Sequence, residues 1–236
     1  MDPVGYPSIN EQAQQNGIPP ENVGLIVLNG GINDIDIRFI LNPFTSAFSL
    51  TDQITLYCRK AMTELLKYLA GRYPSATVVL TGYYPILSRQ SGRPWIPKFL
   101  DMHGVGMPSV VSRDVVLRNV IDNCLRFWIE SRQAFSDSIE EALETYPVSK
   151  LFYADAGYGE DNAVFAPQAR LFGLTDNLDP EDPLAAQRHI VCDRFIDGSN
   201  LLDREEWYRA SAGHPNEEVQ MMYADAIDVV LKQNGI

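Results

Sequence analysis

Val23-Gly24-Leu25-Ile26-Val27-Leu28-Asn29-Gly30-Gly31-Ile32-Asn33-Asp34 begins as an apolar run, stops at two glycines and passes at once to an amide and a carboxylate. A short apolar run bounded by turn residues reads as a strand buried on both faces of a parallel sheet. The glycines permit a sharp turn and a close approach of backbone to a ligand. In open parallel sheets the ligand crevice lies beyond the carboxyl ends of the strands, which puts Asn33 and Asp34 at its rim.

Working outward from this stretch, residues 1–22 are rich in Pro, Gln and Asn, with a short helix expected over 8–15. Residues 35–48 contain Asn42-Pro43 and read as a loop or short helical turns. A clear helix follows, with Ser49 as its cap, Asp52 three residues on and Gly71 closing it. Ile54, Tyr57, Cys58, Ala61, Leu65 and Leu69 recur on one of its faces. Residues 76–81 form the next buried strand, and strand, helix, strand means a parallel sheet. Residues 87–108 have no period and read as an excursion over the strand ends. A long helical pattern runs from 112 to about 146, with a break expected near Ser136-Asp137, and residues 150–154 form the third strand. Residues 155–212 read as mostly irregular, and a loop region that long carries function or packs as a cover. The last helix is expected over 215–233, with Pro215 at its first position and Glu217 and Glu218 at its positive end.

The 236 residues fit one large α/β domain, with no linker dividing them. A net charge of -12 argues against nucleic acid, whose phosphates require clustered Lys and Arg, and against anionic lipid. A small or neutral substrate suits such a surface better. Three cysteines are too few and too scattered for a disulfide framework or a zinc ribbon. Cys58 and Cys124 read as core residues, and Cys192 as core or bridge. The N-terminus lacks a basic region and an apolar core, so it carries no signal peptide, and no apolar run reaches membrane-spanning length. Either the protein is intracellular or its true start lies upstream, in which case secretion stays open. Its localisation is not legible.

Three histidines occur. His103, in the irregular excursion, and His189, in Arg-His-Ile, are assigned structural roles. His214 stands in Ala212-Gly213-His214-Pro215-Asn216, at the mouth of a loop feeding a helix. The positive end of that helix disfavours imidazolium and keeps the ring able to accept a proton near neutral pH. Taken alone, His-Pro at a helix start also serves as a plain cap. No metal or cofactor is expected: Asp34 and Asp36 with a histidine make a weak metal set, because no histidine pair has ligand spacing.

Taken together, Gly31-Ile32-Asn33-Asp34 and Gly213-His214-Pro215 resemble blocks of the SGNH (GDSL-type) hydrolases. These carry Gly-x-Asn-Asp after a strand and His-Pro before the last helix. The resemblance runs from Val23 to the end and includes Thr81-Gly82-Tyr83-Tyr84-Pro85 and Asn162-Ala163-Val164-Phe165-Ala166-Pro167. It implies a three-layer α/β/α, flavodoxin-like fold and hydrolysis of a small-molecule ester by a serine. It also implies that Asn33 donates to the oxyanion, that His214 is the general base, and that Gly31 shapes the turn aiming Asn33. Asp34 is expected to tie its own loop together. Tyr83, Tyr84, Trp95 and Phe99 are left as either an apolar substrate wall or core.

Two features depart from that family. Its nucleophile lies in a Gly-Asp-Ser block on a first strand, and no such block precedes Val23. Ser8 lacks a preceding strand, and Asp197-Gly198-Ser199 comes in the wrong order and reads as a surface turn. The aspartate three residues before the histidine is replaced by Ser211, with a main-chain carbonyl or Asp203 as substitute. The N-terminal strands of the fold are therefore expected to be missing, leaving sheet edges open. One of three situations is expected: a truncated frame, a complementing N-terminal segment that brings the serine, or a homodimer. The competing reading is a non-catalytic α/β binding or assembly module.

Overall fold

The computed structural model describes residues 19–107, 111–174, 184–195 and 211–236. The protein is a mixed α/β fold around a three-stranded parallel sheet of order β1-β2-β3. These strands are Leu25–Leu28, Thr77–Thr81 and Lys150–Ala154. Leu25 pairs with Thr77 and Thr77 with Lys150, so the three strands end together at one carboxyl edge. β2 is central and all five of its residues are buried, as a continuous apolar strand flanked on both sides should be.

Alternation divides the sheet into two faces. Ile26, Leu28, Val78, Leu80, Leu151 and Tyr153 point into the main core. On that side pack three consecutive helical segments, α3 (Ala47–Ile54), a π-helical stretch (Thr55–Ala61) and α4 (Met62–Arg72), together with α6 (Arg113–Thr145). The opposite face carries Leu25, Val27, Val79 and Phe152. The last helix, α8 (Glu217–Gln233), packs on β2 and β3 without contributing to the main core. β1 is left at the sheet edge with Leu25 47% and Val27 50% exposed. The expectation that this strand is buried on both faces is thus met on one face only.

Two short helices, α1 (Ile32–Ile35) and α2 (Ile37–Leu41), follow β1. The helical run after them begins earlier than expected. Ser46, not Ser49, is its cap and accepts from the Ser49 amide at 3.0 Å. Gly71 does not end it either, for α4 continues to Arg72. The expected break near Ser136-Asp137 is absent, and α6 runs unbroken for 33 residues. The hydroxyls of Ser136 and Ser138 donate back to the carbonyls of Arg132 and Phe135, which accommodates them inside the helix.

The excursion after β2 contains a helix that its sequence disguises, α5 (Ile96–Met102). Pro97 sits in the first turn, where a missing N–H costs nothing. The region after β3 is also less irregular than expected, with α7 over Ala185–Phe195. On α7 the buried guanidinium of Arg188 donates to the carbonyl of Gly173. Pro215 is not the first residue of α8. It forms an antiparallel bridge with Leu171, and Asn216 caps the helix by accepting from the Val219 amide at 3.2 Å. Cys58, Cys124 and Cys192 are all buried and no disulfide joins them. Ser8, Asp197-Gly198-Ser199, Asp203 and the expected helix over 8–15 lie outside the described residues.

Candidate functional site

Asn33 belongs to α1, five residues beyond the end of β1. Gly31 is its N-cap, at φ 110° and buried. A Cβ there would lie 2.9 Å from Cys58 Sγ, so the turn requires glycine both for its backbone angle and for its space. Tyr83, the second residue past β2, accepts from the Ile32 amide at 3.1 Å and fixes the start of α1. Its ring lies 5.2 Å from Phe127 and 5.9 Å from Phe135. The Asn33 turn is therefore held from below by Cys58 and from the side by Tyr83. Asn33 itself is exposed and makes no side-chain hydrogen bond among the described residues.

Asp34 does not tie the loop together as expected: it is exposed and accepts no hydrogen bond among the described residues. That task falls to Asp36, which adopts φ 72°, caps α2 by accepting from the Arg38 amide at 2.8 Å and pairs with the Arg38 guanidinium. Hydrogen bonding from Arg38 holds the Asp36 carboxyl below its ordinary range. Burial, helped by the charge of Asp34, pushes the Cys58 thiol up to about 12, so it stays protonated and packs as an apolar group.

The carboxyl edge is laced together at Gly82. Asn29 Nδ2 donates to the Thr81 carbonyl at 3.2 Å and to the Gly82 carbonyl at 3.5 Å. The Thr81 hydroxyl donates to the Leu28 carbonyl at 3.1 Å. Tyr223 of α8 donates to the same Gly82 carbonyl at 2.8 Å. Tyr158, four residues past β3, donates to the Val219 carbonyl and stacks edge-on with Tyr223 at 5.5 Å and with Tyr84 at 5.8 Å. α8 therefore enters the fold from beyond the carboxyl edge, which puts its preceding loop, with His214, on the side where β1 delivers Asn33.

That loop is clamped by backbone. Phe172 donates its amide to the His214 carbonyl at 2.9 Å and accepts from Gly213 at 2.8 Å, while Asn216 donates to Arg170 at 2.9 Å. Gly213 takes φ 78°, and a Cβ added there would lie 3.5 Å from the ring of Phe99. His214 is exposed, yet partial desolvation of the ring lowers its pKa from the ordinary 6.5, which favours the neutral imidazole near pH 7. No hydrogen bond joins Asn33 to His214 among the described residues, and no serine hydroxyl is bonded to the His214 ring there. Ser211 offers the His214 amide its main-chain carbonyl, at 3.0 Å.

His103, set aside in the sequence, is drawn into this site. It follows α5 at the end of a Trp95, Phe99, His103 spacing, and its ring meets Phe99 edge-on at 4.6 Å. Its Nε2 is buried without a hydrogen bond. Burial and then the charge of His214 lower its pKa. The i, i+4, i+8 spacing was the available signal, obscured by Pro97 and Gly104 at either end. Tyr83 and Phe99 are buried, which makes them core rather than substrate wall; Tyr84 and Trp95 are half-buried.

No group of metal-ligating side chains occurs among the described residues, and no helix there is long and apolar enough to cross a membrane. A groove of about 500 Å³ lies between the helices of the main core side, lined by Arg59, Lys67, Asp137 and Glu141 among others, away from the carboxyl edge. Arg59 pairs there with Glu141 and Asp137, so it is a solvated ion-pair cleft. No family model matches the chain, and neither a curated protein nor a solved structure matches it.

Proposed function

We propose that this chain carries the oxyanion and general-base half of a serine ester hydrolase of SGNH type, on a flavodoxin-like arrangement of its sheet and helices. The observation that supports the reading is that Asn33, in the helix after β1, and His214, in the loop before α8, are exposed polar side chains beyond the carboxyl ends of the strands with no side-chain hydrogen bond among the described residues. Each segment is built for position: Gly31 over Cys58 for the first, the Phe172 and Arg170 clamp for the second. Asn33 donates its amide N–H to the oxygen that becomes negative when a nucleophile adds to an ester carbonyl. His214 takes the proton of the attacking hydroxyl and returns it to the leaving alcohol. The substrate is a small neutral ester, in keeping with the acidic surface. The serine comes from a segment outside the described residues or from another chain.

The test is hydrolysis of p-nitrophenyl acetate and butyrate by the purified chain, alone and with an upstream or added segment bearing Gly-Asp-Ser. Asn33→Ala is expected to lower kcat roughly 10²- to 10³-fold, the usual loss of one oxyanion donor. His214→Ala is expected to lower it at least as far. An active protein whose rate ignores both substitutions sinks the proposal.

A second reading, a non-catalytic binding or assembly module, is favoured by one observation. β1 has a sheet edge unpaired among the described residues, and Leu25 and Val27 on one face are exposed. Ester hydrolysis by the 236-residue chain that survives Ser8→Ala and Ser199→Ala counts against it.

A further inference from the structure

Phe99 is fully buried, and two histidine-bearing segments meet on its ring. His103 lies against it edge-on at 4.6 Å, and a Cβ added to Gly213, the residue before His214, would lie 3.5 Å from its Cζ. One segment is the end of α5, the other the clamped loop before α8, 111 positions apart in the chain. Neither ring has a hydrogen bond or an ion pair among the described residues, and His103 Nε2 is shut away from solvent with its capacity unused. A buried polar nitrogen without a partner is costly, and its persistence calls for a reason such as a catalytic role.

We infer that His103 is a positioning residue for His214: when His214 takes a proton, it donates a ring N–H toward the bare Nε2 of His103 across the edge of Phe99. The inference rests on the hydrolase reading, in which His214 is the base. His103 holds the imidazole in one orientation and stabilises the imidazolium, as an acceptor on the far nitrogen must. One proton is moved from the nucleophile to His214, and His103 stays neutral throughout. With His214 charged the pair resists a second positive charge, which is the behaviour of a coupled pair. The lowering of the His103 pKa by the charge of His214 agrees with this. Other charges on the framing elements are Lys98 and Asp101 of α5, Arg170 on the clamping segment, and Glu217 and Glu218 of α8. Arg170 and Glu218 face each other at 3.9 Å, and the remaining three are exposed. None of them contributes to the shift of either ring.

The test is a ¹H–¹⁵N titration of the imidazoles in the full chain, with the resonances assigned by single substitution of the three histidines. Both His103 and His214 are expected to register two protonation steps. His214→Asn is expected to raise the His103 midpoint by about one pH unit, and His103→Phe, which keeps the packing on Phe99, to leave His214 with a single step. Independent one-step curves, each unmoved by loss of the other ring, overturn the inference. His214 is exposed, so its substitution reads the coupling even where His103→Phe fails to fold. Coupled rings in a completed protein that hydrolyses no ester would keep the pair and remove the hydrolase. An active esterase with uncoupled rings would do the reverse.

Discussion

Gly31 combines a backbone angle that only glycine takes without cost and a position that a single methyl group would overfill. Gly31→Ala pays for the left-handed angle and for overpacking on Cys58, together roughly 3 kcal/mol of stability. Urea unfolding checks it, and the double variant Gly31→Ala/Cys58→Ala is expected to be less damaged than the sum of its parts, because only the contact is relieved. The histidines give a pH dependence at the same scale. Both are depressed below 6.5, so as pH falls the unfolded chain binds protons that the native chain refuses. Stability is therefore present above pH 6.5 and declines as pH falls from there toward the lowered native values. His103→Phe, with one such group removed, is expected to flatten that decline in denaturation midpoints measured across the window.

At the scale of elements, the strands were legible because an apolar run bounded by turn residues has few other readings. β3 agrees with its expected limits, and β1 and β2 differ by one or two residues at the start. Helix termini were less legible, since several hydroxyls or amides compete for each cap. Ser46 displaced Ser49, and Asn216 displaced the Pro215 start, because their side chains reach the right amides. The π-helical stretch had no visible sequence signal; Thr55 at its start and Thr63 just after its end bond back to the carbonyls of Thr51 and Arg59. The stretch brings Cys58 beneath Gly31 and so helps position Asn33. The Asn33 and His214 blocks were readable as motifs, but His103 required knowing that α5 exists. Asn216 is 2% exposed, caps α8, and donates its Nδ2 to Gln187 Oε1 at 3.2 Å. Asn216→Ala is accordingly expected to cost about 1 to 2 kcal/mol, seen as a lower thermal midpoint, and to loosen the His214 loop.

At the scale of the whole molecule, the two faces of the sheet are unequal. One is closed by four helical segments, whereas the other is covered by α8 over β2 and β3 and leaves Leu25 and Val27 of β1 exposed. A parallel strand with an open edge and an apolar face is a template for pairing with another chain. The net charge of -12 opposes pairing between copies, and salt screens that repulsion. Association of the purified chain is therefore expected to grow with protein concentration and with ionic strength, as measured by light scattering after size exclusion. Leu25→Lys/Val27→Lys places two charges on the uncovered face without touching the core face of Ile26 and Leu28, and is expected to suppress that association while leaving the unfolding midpoint nearly unchanged. If the double variant instead unfolds at markedly lower denaturant while the parent stays monomeric in high salt, Leu25 and Val27 are core residues of the chain and β1 is not a docking edge.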